Sequence, residues 1–275
     1  MLKSIQIDTL HLVAKLTNDQ KDELYDLIDF GKDFGEGFKV YWKGNAVYKH
    51  IIHSKEPFFM VFFEPRVRTG LWTKSHYDIL VILQQEAIQS KPAILELIFN
   101  IGDWRVKRMD IAYDWSTPIS QHFIWKNANV KKDEVIGNQN YYLYGIRSEN
   151  RAVIYDKKLQ LKQKKNIEIP EEHLTRLEIR IRPKLNNLSV SANNLEWLRK
   201  HLDKFIFVEN AAKLSRCLKE QDRKAFRALR RNTRMDWSAY GGDSVKRRIR
   251  EKAKEQSVNL FDLFMSHRVQ MNMTA

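Results

Sequence analysis

In the stretch Arg105-Val106-Lys107-Arg108-Met109-Asp110-Ile111-Ala112-Tyr113-Asp114-Trp115, charge alternates with bulk. An extended chain puts Arg108, Asp110, Ala112 and Asp114 on one side and Met109, Ile111 and Tyr113 on the other. Carboxylates in the middle of a strand are costly to bury unpaired, so their face must meet cations, a metal ion or water. Residues 174–183 repeat the pattern, with Arg176, Glu178, Arg180 and Arg182 opposed to Leu177, Ile179 and Ile181. Between the two lies a predicted hairpin. Residues 141–146 form its first strand, Ser148-Glu149-Asn150 has turn chemistry, and residues 151–159 form its second. Period two places Arg151, Val153, Tyr155 and Lys157 on one face of that second strand.

Outward from these strands, residues 4–16 read as a strand with one break in phase. Thr17-Asn18-Asp19 then caps a helix carrying Leu24, Leu27, Ile28 and Phe30. Residues 38–52 and 57–63 are β-rich. Residues 77–88 and 93–101 have the leucine and isoleucine density of core helices, the second started by Pro92. A short helix is expected over 120–126 and a solvated lysine-rich loop, with the reach to touch phosphate, over 157–165. After Asn193 strand signals stop and helices are expected over 195–198, 211–218, 224–230, 245–254 and 260–269, with a Gly241-Gly242 break. The expected fold is α+β: a largely antiparallel central sheet carrying the site, flanked by helices and followed by a basic helical C-terminal region. The boundary falls near Ser191, dividing a sheet-centred catalytic domain (1–190) from a basic helical DNA-binding region (191–275).

With 275 residues, 43% hydrophobic and 30% charged, the chain has the composition of a soluble globular protein. Its 48 Lys and Arg against 34 Asp and Glu give a net charge of +14, which calls for a polyanionic partner. Residues 211–256 hold fifteen basic and six acidic side chains, so most of the excess lies in one helical region. Arg230, Arg231, Arg234, Lys246, Arg247, Arg248 and Arg250 are the expected DNA contacts there. Cys217 has no possible disulfide partner, which fits a reducing cytoplasm. No secretory leader pattern and no apolar run of membrane-spanning length occurs, so a cytoplasmic location away from membranes is expected. No Gly-Lys-Ser/Thr phosphate loop is present. His50 and His53 fall on opposite faces of a strand-like run and read as ordinary histidines.

If the three charged strands are neighbours, Asp110, Asp114 and Glu178 make a set of hard oxygen ligands suited to Mg²⁺ or Mn²⁺, facing Tyr155. That set suits phosphoryl transfer by a phenolate, stabilised by Arg151 and Lys157, through a 5′-phosphotyrosyl intermediate. The competing reading is that Tyr155 is a packing residue and the carboxylates are ion pairs with the arginines beside them. Tyr141, Tyr142 and Tyr144 are rival nucleophiles.

Three blocks in order carry a family resemblance: Arg108 through Asp114, then Tyr144-Gly145-Ile146-Arg147-Ser148 through Ile154-Tyr155-Asp156-Lys157, then Arg176-Leu177-Glu178-Ile179. Over roughly residues 105–183 the chain resembles the Rep_trans family, the replication initiators of small rolling-circle plasmids of Gram-positive bacteria. The resemblance implies that Tyr155 nicks one strand of the plasmid's double-strand origin, leaves a free 3′-OH and later religates. It further implies a homodimer, recruitment of a PcrA-type host helicase, and origin specificity toward the C-terminus. Val153 stands where many members carry arginine, and Arg151 is expected to supply that cation. No His-x-His pair occurs, so the two-histidine metal site of the other large class of rolling-circle relaxases is absent. The alternative function is a non-catalytic basic DNA-binding protein, an origin-binding repressor or scaffold.

Overall fold

A computed structural model describes residues 1–30, 39–41, 47–66, 77–125, 140–143, 150–183, 195–231 and 235–267. The expectations for Tyr144 and Arg234 lie outside them. In chain order the first elements are β1 (Leu2–Ala14), α1 (Asn18–Phe30), β2 (Lys39–Tyr41), β3 (Tyr48–Lys55) and β4 (Phe58–Pro65). Next come β5 (Ile79–Gln84), α2 (Gln85–Ser90), α3 (Ala93–Asn100), β6 (Arg105–Trp115), β7 (Phe123–Ile124) and β8 (Asn140–Leu143). They are followed by β9 (Asn150–Asp156), α4 (Lys157–Lys165), β10 (Thr175–Ile181), α5 (Arg199–Leu202) and β11 (Phe207–Val208). The chain continues through α6 (Ala211–Cys217), α7 (Glu220–Arg231), α8 (Gly242–Glu255) and α9 (Leu260–His267).

Among the described residues, nine strands hydrogen-bond in the order β2-β3-β4-β5-β1-β6-β10-β9-β8, and β7 pairs separately with β11. The pairs β2/β3, β3/β4, β4/β5, β5/β1 and β8/β9 are antiparallel. The expected α+β class with a large antiparallel sheet is the observed one. The chain forms two compact units. One comprises Met1–Ile5, Ala112–Ile179 and Leu195–Gln270, and the other is built on Gln6–Ile111 and takes up β10 again from Arg180.

Strand β1 keeps alternation only in halves: Ile5 and Ile7 are buried, then Leu10 and Leu12. This is the phase break read in the sequence, and a strand can absorb it as a local bulge. Thr17 caps α1 reciprocally with Gln20: Gln20 N donates to Thr17 Oγ1 at 3.3 Å and Thr17 N to Gln20 Oε1 at 2.9 Å. Pro92 sits at the start of α3, as expected. The helix expected over 77–88 is instead a strand followed by a short helix. Ile79-Leu80-Val81-Ile82-Leu83 lies between β1 and β4, and a short apolar run gives no periodicity by which to separate a central strand from a buried helix.

In the first unit, the apolar face of β6 continues as Tyr113 and Trp115. Trp115 packs on Phe207 with ring centroids 4.6 Å apart, and Tyr113 Oη donates to Leu260 O at 2.9 Å. The helix expected over 120–126 is a 3-10 turn, Ile119–Gln121, leading into β7. Its partner β11 is a strand where none was expected after Asn193: Phe207-Val208 pairs with Ile124-Phe123 in two residues each, too short a run to alternate. Helices α6, α7 and α8 close around Leu214, Ala225, Phe226, Leu229, Val245 and Ile249.

The hairpin's second strand stops at Asp156 rather than at residue 159. Asp156 Oδ1 accepts from Leu159 N at 2.9 Å, so its carboxylate starts α4 over the lysine run that had been expected to be a loop. Asn166, at φ 53°, ends that helix in the left-handed conformation. Lys157 therefore opens a helix and does not extend the strand face of Tyr155.

Candidate functional site

Asp110 and Asp114, on the charged face of β6, are both ion-paired. In the unit built on Gln6–Ile111, Asp110 is 1% exposed and is gripped from two strands. Arg108 Nε donates to Asp110 Oδ1 at 2.8 Å, with Arg108 Nη2 on Oδ2. Arg180 reaches the same carboxylate through Nε at 3.1 and 3.2 Å and Nη2 at 3.0 Å. His11 stands close to this group: burial first, then the charge of Arg108, push its pKa down to about 4, while Asp110 opposes the shift. His11 was missed in the sequence; the phase break between Ile7 and Leu10 was the available signal, because it changes which residues of β1 face the charged side.

In the other unit, Asp114 takes a two-point clasp from Arg176, Nε to Oδ1 and Nη2 to Oδ2, both at 2.7 Å. Both side chains are under 10% exposed. Ser4 Oγ donates to Asp114 Oδ2 at 3.2 Å. On the same side of β10 as Arg176, Glu178 is half-buried. Asp110 and Asp114 thus have their oxygens occupied by guanidinium groups. Among the described residues no group of three or more His, Cys, Asp or Glu side chains could hold a metal ion. As arranged, Asp110 and Asp114 present their oxygens to arginines and not to a divalent ion.

Tyr155 lies in β9 opposite Asn140 of β8 and is 6% exposed. Tyr141 and Tyr142 pair with Ile154 and Val153 on the neighbouring strand. Lys157 Nζ is 5.9 Å from the centre of the Tyr155 ring and donates to Gln160 Oε1 at 3.2 Å. Lys157 N donates to Leu174 O at 2.7 Å, which ties the residue after β9 to the residue before β10. Arg151 is half-buried on β9. The tyrosine therefore has a cation beside its ring, although the cation arrives from the helix and not from the strand.

The basic helices divide into structural and outward-facing cations. Arg248 spans α8 to α7, donating to Asp222 through Nε at 2.9 Å and Nη2 at 2.7 Å, and the Asp222 carboxylate is 3% exposed. Arg230 donates to Ser120 O. Lys246 Nζ lies 5.9 Å over the Trp237 ring. Arg247 and Arg250 are exposed on α8. The expected DNA contact Arg248 thus holds two helices together, while Arg247 and Arg250 are presented outward. Nothing in the spacing of Lys246-Arg247-Arg248 distinguishes them; the signal lay in Val245, Ile249 and Ala253, which fix the buried stripe of α8 and so put Arg248 at its border.

No family model matches the chain. Over 125 residues it is 26% identical to a Staphylococcus aureus protein named replication initiation protein, a match covering 42% of this chain and 39% of that protein. A second Staphylococcus aureus protein of the same name is 32% identical over 125 residues with the same coverage. The chain spans about two fifths of the length of the curated relatives it matches. Among solved structures it is similar to a rolling circle replication initiator protein from Geobacillus stearothermophilus, with a TM-score of 0.45 and 17% identity over 66% of this chain and 75% of that one. Among the described residues no helix is long and apolar enough to cross a membrane.

Proposed function

We propose that this chain is a plasmid rolling-circle replication initiator of the Rep_trans kind that nicks one strand of a double-strand origin through Tyr155. The observation that carries this reading is the 32% identity over 125 residues to a protein named replication initiation protein. The placement of Lys157 5.9 Å from the Tyr155 ring adds to it. In the proposed step the Tyr155 hydroxyl gives up its proton, its oxygen attacks the scissile phosphorus, and the bond from phosphorus to the 3′ oxygen breaks. The 3′ oxygen takes up a proton and leaves as a free 3′-OH for a polymerase, while the 5′ phosphate stays on the tyrosine. Arg151 and Lys157 stabilise the charge that builds on the phosphoryl oxygens. Reversal of the same step religates the strand. Action as a homodimer and recruitment of a PcrA-type helicase complete the proposal.

The reaction is tested by incubating the protein with a supercoiled plasmid bearing the replicon's own origin and resolving protein-linked DNA on a denaturing gel. Tyr155→Phe is expected to reduce the covalent product by at least roughly 10⁴-fold, since the nucleophile itself is removed. Undiminished capture by that variant would falsify the assignment and turn attention to Tyr141, Tyr142 and Tyr144. The same gel, run with and without Mg²⁺ or Mn²⁺, reads whether a divalent ion takes part; Asp110 and Asp114 must shed their arginines to serve as ligands.

A second reading, a non-catalytic origin-binding repressor or scaffold, is favoured by the arginines that occupy both aspartates and by the 6% exposure of Tyr155. It expects origin binding that needs no divalent ion and leaves no protein on the DNA.

A further inference from the structure

The helix α4 packs only shallowly: residues 157–161 are half-buried and residues 162–165 are exposed. None of its nine residues, Lys157-Lys158-Leu159-Gln160-Leu161-Lys162-Gln163-Lys164-Lys165, is buried, and it holds five lysines and no carboxylate. Lys158 and Lys162 are four apart and Lys162 and Lys165 three apart, spacings at which like charges repel along a helix. A helix without a buried face gains little from tertiary contact, so it depends on its caps. Those are present: Asp156 at the start and Asn166 at the end, with Lys158 Nζ also donating to Glu171 O at 2.7 Å. Lysines in the last turn favour the carbonyl end of the helix dipole, which accounts for Lys162, Lys164 and Lys165 but not for Lys157 and Lys158 in the first turn. Lys162 meets Glu168 at 3.0 Å in a solvent-exposed pair. Lys164 and Lys165 are exposed, with no carboxylate partner among the described residues.

The chain thus maintains a capped cationic rod that begins two residues after Tyr155. We propose that α4 is a binding track for the phosphodiester backbone of an unpaired DNA strand, with Lys162, Lys164 and Lys165 making the contacts. The proposal rests on the reading of the chain as a DNA-processing protein and names the part that holds the strand next to the reacting residue. An unpaired strand is the occupant because α4 starts two residues after Tyr155 with Lys157 Nζ 5.9 Å from that ring, and a backbone freed from its duplex can follow a short straight rod. Flexible ammonium groups without neighbouring aromatic residues on α4 suit contact with phosphate and give no basis for reading bases.

The experiment measures binding of a labelled oligothymidylate strand to the full chain as a function of salt, in a Tyr155→Phe background that prevents covalent trapping. Replacing Lys162, Lys164 and Lys165 together with Gln keeps good helix formers in place. Loss of three phosphate contacts at about 0.7 each makes the log–log salt slope shallower by roughly 2, and binding weakens at every salt concentration. Binding of a blunt duplex, assigned to α7 and α8, is expected to stay the same. The unfolding midpoint is expected to stay level or rise as repulsion is relieved. An unchanged slope on oligothymidylate overturns the proposal, an equal loss on the duplex overturns its assignment to an unpaired strand, and a lowered midpoint shows that the lysines serve the fold instead. If the slope falls as expected while the Tyr155 chain forms no covalent product, the track stands and only the nicking reaction fails. An unchanged slope beside normal covalent capture rejects the track alone.

Discussion

Arg176 on β10 and Arg250 on α8 are the same side chain in opposite circumstances. Arg176 is 5% exposed and spends two of its donors on Asp114, whereas Arg250 stands in solvent on a helix whose buried stripe lies elsewhere. On the strands, positive charge balances negative charge at close range and offers little net field to a distant polyanion. On the helices, each outward cation adds to one. Net charge therefore separates a basic region from a neutral one without distinguishing a binding residue from a structural one, and Arg248, clasped to Asp222 in the middle of a basic run, is the local exception.

The contrast breaks most sharply at Arg176. Arg176→Met strands a buried carboxylate and is expected to cost about 3–5 kcal/mol in denaturant unfolding, with most of that returned when Asp114→Leu is added. A loss below about 1 kcal/mol would mean that the pair is no more than a surface contact. Next in size is the effect of pH. Burial, aided for His11 by Arg108, lowers His11 and His122 from the usual 6.5 to about 4. Between those values the unfolded chain binds protons that the folded chain excludes, so stability falls as pH drops through the window. From pH 7.5 to 5 each histidine is expected to remove about 2 kcal/mol, and His122→Gln should flatten its share of the slope in pH-dependent melts.

Ser4→Ala removes one hydrogen bond to Asp114 and is expected to cost about 1 kcal/mol. At the small end, Arg247→Ala and Arg250→Ala should leave stability within about 0.5 kcal/mol while each takes roughly 0.9 from the salt slope of duplex binding. Arg248→Ala should do the reverse, lowering the unfolding midpoint because Asp222 is left buried and unpaired, with the salt slope kept. If all three behave alike, the division between structural and outward cations on α8 is wrong.

Much of this was legible from residues 105–115, where alternation gave β6 with both of its boundaries, and from residues 174–183, which gave β10. Thr17 and Pro92 announced their helices because caps and N-terminal prolines act locally. What escaped was decided by distant partners. Residues 79–83 become a strand because β1 and β4 lie on either side, and Phe207-Val208 becomes one because Phe123-Ile124 is there to pair with it. Asp110 and Asp114 were singled out as carboxylates that had to meet something, and for Asp110 the arginine two residues before it was part of the answer. Their occupation by Arg108, Arg176 and Arg180, and the presence of His11 close by, are matters of which strands become neighbours, which no local pattern reports.

Asp156 joins strand to helix with no intervening loop, and this has a mechanical consequence. Its carboxylate holds Leu159 N while its own backbone closes β9, so Tyr155 and α4 are parts of one lever rather than two bodies on a hinge. A pull on the lysines of α4 is transmitted to the tyrosine through two peptide units, with no slack residue to absorb it.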